Sequence, residues 1–333
     1  MNIREVARLA KVSTATVSRT INGSDKVTPE TKERVQRAIE ELKFYPNTWA
    51  RALGSGRSSL YGLIISDITN PFFPELVKSF EDIAVQHGQE VLVANTNYDP
   101  ERMELCVSRM LQRKVDGVAI MTSEMDDHLI TEFHNRSIPL VFLDTGSAQK
   151  LVSNILVDYG AGIEAALDHV VHLGHTHIAF IAGPNKLPSA RMRQEAFTAC
   201  LAHMGLNPDL VEQGNHQVGG GHDAMIRLLF ANPRPTVVLA SNDMSAIGAL
   251  GAIHESGLRV PEDISLVGFD DIQISSFTQP ALTTVRLSRE QIAQVAFRAL
   301  YSIRQDRGQG AVYPVRPELV VRRSTGPAPR RIQ

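Results

Sequence analysis

Residues 1–24, MNIREVARLAKVSTATVSRTINGS, constrain this chain more than any other stretch of it. Ile3, Val6, Ala7 and Ala10 recur at helical spacing and predict a short first helix with one apolar face. Lys11-Val12 then leaves room only for a tight break. Ser13 stands where an N-cap belongs, its hydroxyl available to an orphan N–H, and a second helix is predicted from about Thr14 to Ile21. Val17 and Ile21 lie four apart and face inward. Thr14, Ala15, Ser18, Arg19 and Asn22 share the other face, small or polar except for one long cation. Little bulk, base-edge donors and acceptors, and an Arg able to fork onto a guanine are what a helix needs in a major groove. On these residues alone, a surface hairpin of two helices with a polar face is also open.

The next residues narrow the choice. Thr28-Pro29-Glu30 reads as a helix start, with Thr capping, Pro at the first position and Glu in the first turn. Val35, Ala38, Ile39 and Leu42 give a third helix its stripe, so three short helices can share one small core. Charge follows the same division. Residues 1–57 carry eleven Lys or Arg and six Asp or Glu, a charge of +5; the remainder carries 23 and 30, or −7. A basic head attracts phosphates, and an acidic body is kept off a duplex.

From Tyr45 the chain runs YPNTWARALGSG, in which Asn47 can cap and Gly54 can stop a helix of about two turns. The opening IREVARLAKVSTATVSRTING, the following TPETKERVQRAIEELKFYPN and the ARALGSGRS linker together resemble the LacI/GalR (lac-repressor-type) family of bacterial transcription regulators, and the similarity continues through almost the whole chain. It implies a small all-α helix-turn-helix domain over 1–46, a hinge helix and linker over 47–59, and a sensor over 60–326. The candidate DNA contacts it implies are Ile3, Arg4, Ser13, Thr14, Ala15, Thr16, Ser18, Arg19 and Asn22 in the head, with Asn47, Ala50 and Leu53 in the linker. In the family the Leu matching Leu53 wedges between base pairs of the minor groove. Asp25 stands where some relatives have a basic residue, which puts a phosphate contact there in doubt.

Beyond Tyr61, apolar runs alternate with amphipathic stretches. YGLIISD, EVLVAN, DGVAIM and PLVFLD, then HIAFIAG, TVVLAS and ISLVGFD, read as buried parallel strands with helices between them. The resemblance turns these two α/β series into a periplasmic-binding-protein-type sensor of two parallel-sheet lobes. Three crossovers would make the lobes discontinuous: lobe one about 60–157 and 288–316, lobe two about 158–287 and 317–326, with 327–333 a tail. The Pro-rich, charged GPAPRRIQ is expected to fray.

Open parallel sheets place ligands just beyond strand C-terminal ends. Asn70, Phe72 and Phe73 follow the first strand, where Pro71 sets a loop; aromatic faces suit the C–H face of a sugar ring, although one of the two rings could equally be core. Asp144 ends PLVFLD and is either a helix cap or a ligand acceptor. Ser189 and Arg193 follow the IAGP loop; an Arg can donate two hydrogen bonds to vicinal hydroxyls or to a carboxylate. The family pattern favours Arg193 over Arg191 as the effector contact, and Asp270 matches its ligand carboxylate. Asn242-Asp243 end TVVLAS, and Asn242 can donate and accept. His216 occupies the position where sugar-responsive relatives often carry a large aromatic, and Leu187-Pro188 replace polar groups that purine-binding relatives use. The expected effector is therefore a sugar or sugar derivative rather than a purine.

Other features have plainer readings. Gly219-Gly220-Gly221 lacks nucleotide-loop spacing and reads as a turn or helix start. His175-Thr176-His177 has no carboxylate nearby, so no metal is expected; Asp126-Asp127-His128 reads as helix capping. Cys106 and Cys200 are too few for a disulfide framework or a zinc site, and GxSxG and HExxH are absent. No cofactor is expected. No signal peptide and no membrane-length apolar run is present, which points to a cytoplasmic protein without a membrane partner. Of three classes, a solute-binding transport protein conflicts with the helix-turn-helix, and an enzyme using the same cleft lacks a motif. The favoured class is a regulator, a repressor, that binds near-palindromic double-stranded operator DNA as a homodimer and is switched by a small-molecule effector. Residues after Arg323 show no heptad helix, so nothing beyond a dimer is expected.

Overall fold

The computed structural model describes residues 2–21, 24–44, 58–122, 125–144, 147–305 and 308–329. The expected hinge helix, with Asn47, Trp49, Ala50 and Leu53, lies outside the described residues, as does Asn22. Two compact units emerge: residues 1–60 with 113–116, and the rest.

Helices α1 (Ile3–Leu9), α2 (Thr14–Ile21) and α3 (Pro29–Glu41) build the first unit. Each start is capped by its own sequence. Asn2 accepts from the Glu5 N–H while the Glu5 carboxylate accepts from the Asn2 N–H, a reciprocal box that satisfies two orphan donors. Ser13 Oγ accepts from Thr16 N–H at 3.1 Å, and Thr28 caps α3 with Pro29 at its first position. Lys11 turns the chain between α1 and α2 at φ +52°. Val6, Ala7, Ala10, Val17, Val35 and Ala38 are buried together as one small core.

The second unit holds two six-stranded sheets. One comprises β1 (Leu60–Ile65), β2 (Glu90–Asn95), β3 (Gly117–Met121), β4 (Leu140–Leu143), β5 (Val152–Val157) and β11 (Val312–Val315), in the order β11-β5-β4-β3-β1-β2. The other comprises β6 (Ile178–Ala182), β7 (Val211–Gln213), β8 (Val237–Ala240), β9 (Ser265–Asp270), β10 (Thr283–Arg286) and β12 (Glu318–Val320), in the order β12-β10-β9-β8-β6-β7. Strands β3, β4, β5 and β11 run parallel to β1, strands β6 to β10 run parallel to one another, and β12 is antiparallel to β10. Unbroken apolar runs such as GVAIM and IAFIA are buried along their whole length, because helices cover both faces of a parallel sheet.

Helices α4 (Phe72–Gln86), α5 (Pro100–Arg113), α6 (Asp127–His134) and α11 (Arg289–Gln305) serve the first lobe. Helices α7 (Tyr159–His172), α8 (Pro188–His203), α9 (Val218–Leu229) and α10 (Asp243–Glu255) serve the second. The chain changes sheet after β5, after β10 and after β11.

Gly219, Gly220 and Gly221 lie in the first turn of α9. A Cβ on Gly221 would strike the Ser245 backbone, and one on Gly248 the Val218 carbonyl, so α9 and α10 meet along glycine. Asp126 occupies the N-cap position of α6 but makes no side-chain cap bond. His175 is a buried staple, with Nδ1 on Thr236 Oγ1 at 2.9 Å and Nε2 on the Gly326 carbonyl at 3.0 Å.

That staple corrects the expected fraying for residues 326–329. Gly326 N–H donates to Ser265 Oγ, and Ala328 N–H to the Leu173 carbonyl at 2.9 Å. Just upstream, fully buried Ser324 accepts from Thr283 N–H and donates to the Leu266 carbonyl. Backbone partners, not composition, decide whether a Pro-rich end is held.

Candidate functional site

In the three-helix unit, Ser13, Thr14, Ala15 and Arg19 are exposed, as is Arg4 on α1, while Thr16 and Ser18 are half-buried. Ile3 is half-buried against the small core, so packing accounts for much of its surface. Val17, on the opposite side of α2, is fully buried. The helix thus presents hydroxyls, a methyl and one guanidinium on its free face. Thr16 is partly engaged already, because its hydroxyl bonds Ser13 Oγ at 2.9 Å.

The strand ends of the two lobes converge on one cavity of about 90 Å³. Asn70, Phe72, Phe73, Asp144, Ser189, Arg193, His216, Asn242 and Asp270, the nine residues singled out in the sequence, all line it. Phe72 and Phe73 do so from the first turn of α4 rather than from a loop, their rings edge to face at 5.3 Å. Both also belong to the buried core, so packing and lining are shared by the same two rings. Asn70 Oδ1 accepts from the Phe72 N–H at 3.1 Å and fixes that turn.

Asp144 is not a helix cap. It stands at φ +60° beyond β4, where one carboxylate oxygen accepts from Val157 N–H at 2.7 Å and the other from Tyr159 Oη at 2.6 Å. Burial pushes its pKa above the usual carboxylate range, against those two bonds and the charge of Arg193. Tyr159 is pushed well above an ordinary phenol by its own burial and by Asp144, and stays a donor.

Arg193 lies buried against two neighbouring rings, with its guanidinium carbon 4.9 Å from the centre of Tyr159 and 4.2 Å from that of Phe269. Nη1 donates to the Ser241 carbonyl at 2.5 Å, and Nη2 sits 3.7 Å from Asp270 Oδ1. Nε is buried with no hydrogen-bond partner among the described residues. Arg191, by contrast, is exposed and donates to the Asn185 carbonyl.

Asp270 occupies φ +112°, a conformation ordinary side chains avoid, and Arg289 holds its carbonyl. Burial raises its carboxyl to about 6, opposed by Arg193 and Arg289 and assisted by Glu75. Its neighbour Asp271 serves elsewhere, pairing with Arg286 at 2.7 Å and Arg322 at 2.6 Å.

Asn242 has a different task from the one its sequence position suggests. Its Oδ1 caps α10 through Ser245 N–H at 2.9 Å, and its Nδ2 donates to the His216 carbonyl at 3.0 Å. One amide hydrogen is left for a ligand. His216, at φ +65°, bonds Ser241 Oγ through Nε2 at 2.9 Å. Burial, helped by Arg193, depresses it to about 3, so the ring is neutral. Gly183 makes this possible, since a Cβ there would overlap the imidazole.

Sequence reasoning missed Tyr159, which holds Asp144 with its hydroxyl and Arg193 with its face. It named Asp243 with Asn242 at the end of TVVLAS, but Asp243 is buried behind Asp270, bonded by Ile272 N–H, Ser275 Oγ and Thr284 Oγ1, and is not among the residues lining the cavity. It also missed Glu75, which accepts from Gln273 N–H at 2.9 Å across the lobes and pairs with Arg289 at 2.8 Å. Nothing local marks Tyr159 or Glu75. Among the described residues, no group of three metal-binding side chains occurs and no helix is long and apolar enough to cross a membrane.

Comparison with known proteins gives a consistent set of likenesses. A family model described as bacterial regulatory proteins, lacI family, matches residues 2–47, and one described as periplasmic binding protein-like domain matches 167–325. The HTH-type transcriptional repressor PurR of Pasteurella multocida (strain Pm70) is 34% identical over 327 residues, covering 97% of this chain and 98% of the relative. A lac repressor dimer bound to operator and the anti-inducer ONPF superimposes with a TM-score of 0.85 at 30% identity, over 98% of this chain and 99% of that one. The transcriptional regulator CelR in complex with cellobiose does so at 0.71 and 29%, over 97% and 99%.

Proposed function

This chain belongs to the lacI family of bacterial regulatory proteins, and on that footing we propose that it is an operator-binding repressor switched by a sugar or sugar derivative held between its lobes. The observation that carries the reading is the single cavity ringed by all nine candidate residues, with Phe72, Phe73 and Asp144 from one lobe and Arg193, Asn242 and Asp270 from the other. A ligand touching both lobes favours whichever arrangement brings them together, and that differential affinity is what shifts an equilibrium. Aromatic faces beside carboxylate, amide and guanidinium groups suit a ring that carries hydroxyls. The cellobiose complex of a relative supports this class, and Leu187 and Pro188 put apolar surface where a nucleobase would need polar partners. The cleft binds and releases its ligand unchanged.

The DNA side of the proposal places α2 in the major groove, with Arg4, Ser13, Thr14, Ala15, Thr16, Ser18 and Arg19 as contacts and Ile3 packed beside them. The lac repressor dimer on operator supports a two-fold assembly on a near-palindrome. Operators are selected from a random duplex pool with the purified protein. Arg19→Ala is expected to weaken the selected site by roughly 1–3 kcal/mol and random DNA little. Equal loss on both would reduce Arg19 to a phosphate contact, and an asymmetric selected site would remove the dimer.

A panel of sugars and purine bases is screened by thermal shift, because a ligand that binds only the native state raises its melting temperature. Hits are tested for release or promotion of operator binding, and the bound ligand is recovered for mass spectrometry. A purine hit with silent sugars replaces the ligand class. Recovery of a chemically altered ligand replaces the whole reading with an enzyme.

A further inference from the structure

We propose that the cleft admits an uncharged hydroxylated ligand and rejects the phosphorylated or carboxylated forms of the same molecule. The inference rests on the sugar reading above and adds to it a rule about charge.

Among the described lining residues the ionisable groups are Tyr98, Asp144, Tyr159, Arg193, His216 and Asp270. Two are carboxylates, one from each lobe. One is a permanent cation. His216 is held neutral by burial and by Arg193, and Tyr159 is a donor to Asp144. The cavity therefore carries more negative than positive charge, and its single cation is not free. The Tyr159 and Phe269 rings pack against the Arg193 guanidinium, Nη1 is fixed on the Ser241 carbonyl, and Nη2 faces Asp270.

What Arg193 still lacks is a partner for its buried Nε. A hydroxyl beside Arg193 and Asp270 suits both, offering a lone pair to the guanidinium and a proton to the carboxylate. An anion suits only the guanidinium. An oxyanion on Arg193 must share that guanidinium with the Asp270 carboxylate, whose Oδ1 is 3.7 Å from Nη2, and finds no second cation among the described lining residues. The groups behind Asp270 do not reverse this. Arg289 holds the Asp270 carbonyl but is paired with Glu75, and Asp243 adds a further carboxyl. Lys186 sits outside, over the Tyr98 ring at 5.9 Å. In a site shielded from water, like charges this close cost far more than they would at the surface.

The test uses the full-length protein and matched pairs: ribose with ribose 5-phosphate, glucose with glucose 6-phosphate, galactose with galacturonate. Melting shifts identify binders, and calorimetry gives the ratio of affinities within each pair. The uncharged member is expected to bind at least about tenfold more tightly than its charged partner. Asp270→Asn keeps the shape and removes one charge, so the ratio should narrow several-fold. If that variant fails to fold, the wild type supplies the same reading through pH. Galacturonate remains ionised at pH 5 while Asp270, raised to about 6, takes up a proton, so the ratio should narrow between pH 8 and pH 5.

A charged member that binds as well as its uncharged partner overturns the charge rule and leaves the cleft as an effector site. So does a ratio indifferent both to Asp270→Asn and to pH. Silence from every pair in the wild type overturns the sugar reading itself, and the charge rule with it.

Discussion

Individual side chains in the cleft are defined by how they are held. Asp243 is fully buried, accepts three hydrogen bonds and faces no cation of its own; burial first, then Asp270, raise it to about 7. A carboxyl raised on folding binds its proton more tightly in the native state than in the unfolded chain. Its ionisation therefore erodes stability as pH climbs from about 4 through 7. At roughly 1.4 kcal/mol per unit the effect is of the order of a few kcal/mol. His216 has the opposite sign. Depressed to about 3, it is stabilising above its unfolded value near 6.5 and loses that contribution as pH falls below it. A comparison of variant with wild type isolates the carboxyl. Asp243→Asn should melt higher relative to wild type at pH 8 than at pH 5, and a difference constant across that range would mean Asp243 does not titrate there.

Among the elements, the seam between α9 and α10 depends on two hydrogens. Gly248→Ala would press a methyl into the Val218 carbonyl, which is backbone and cannot swing away. A loss of roughly 1–3 kcal/mol in a urea titration is expected, as for other overpacked contacts, and an unchanged midpoint would show that the two helices can part freely. The elements readable in advance were those whose residues carry the signal locally. GVAIM, IAFIA and SLVGFD are continuous apolar runs, and α1 to α3 announce themselves with Asn2, Ser13 and Thr28-Pro29. Strands β5, β7, β10, β11 and β12 did not stand out. They contain Ser153 and Asn154, Glu212 and Gln213, Thr283 and Thr284, Pro314, and Glu318, and they are strands because neighbours accept them at sheet positions. The cleft followed the same logic. Residues just beyond strand ends were found by position, whereas Tyr159 and Glu75 act through partners distant in sequence or on the other lobe. The frayed end was misread because the groups that hold it, His175 and Leu173, lie about 150 residues earlier.

For the two-lobed body as a whole, Glu75 is a tie between halves. From α4 in one lobe it receives the Gln273 N–H of the other and pairs with Arg289, which in turn holds the carbonyls of Asp270 and Asp271. Removing it should loosen one lobe against the other without touching either core. In small-angle scattering of the ligand-free protein, Glu75→Ala is expected to enlarge the radius of gyration. A profile superimposable on wild type would show that the crossovers alone set the lobe angle.

The three crossovers also set an order of events during synthesis. The head has its own buried core within its first forty-odd residues, so it can take shape as soon as it clears the ribosome. Neither lobe can close its sheet so early, because β11 and β12 are the last strands made. At 5–20 residues per second the interval is roughly 14–55 s. Throughout it, the part built like a reader of DNA exists on a nascent chain whose sensor is still open along one edge of each sheet. A message cut short anywhere in that span would yield heads without a switch, and exposed strand edges with them.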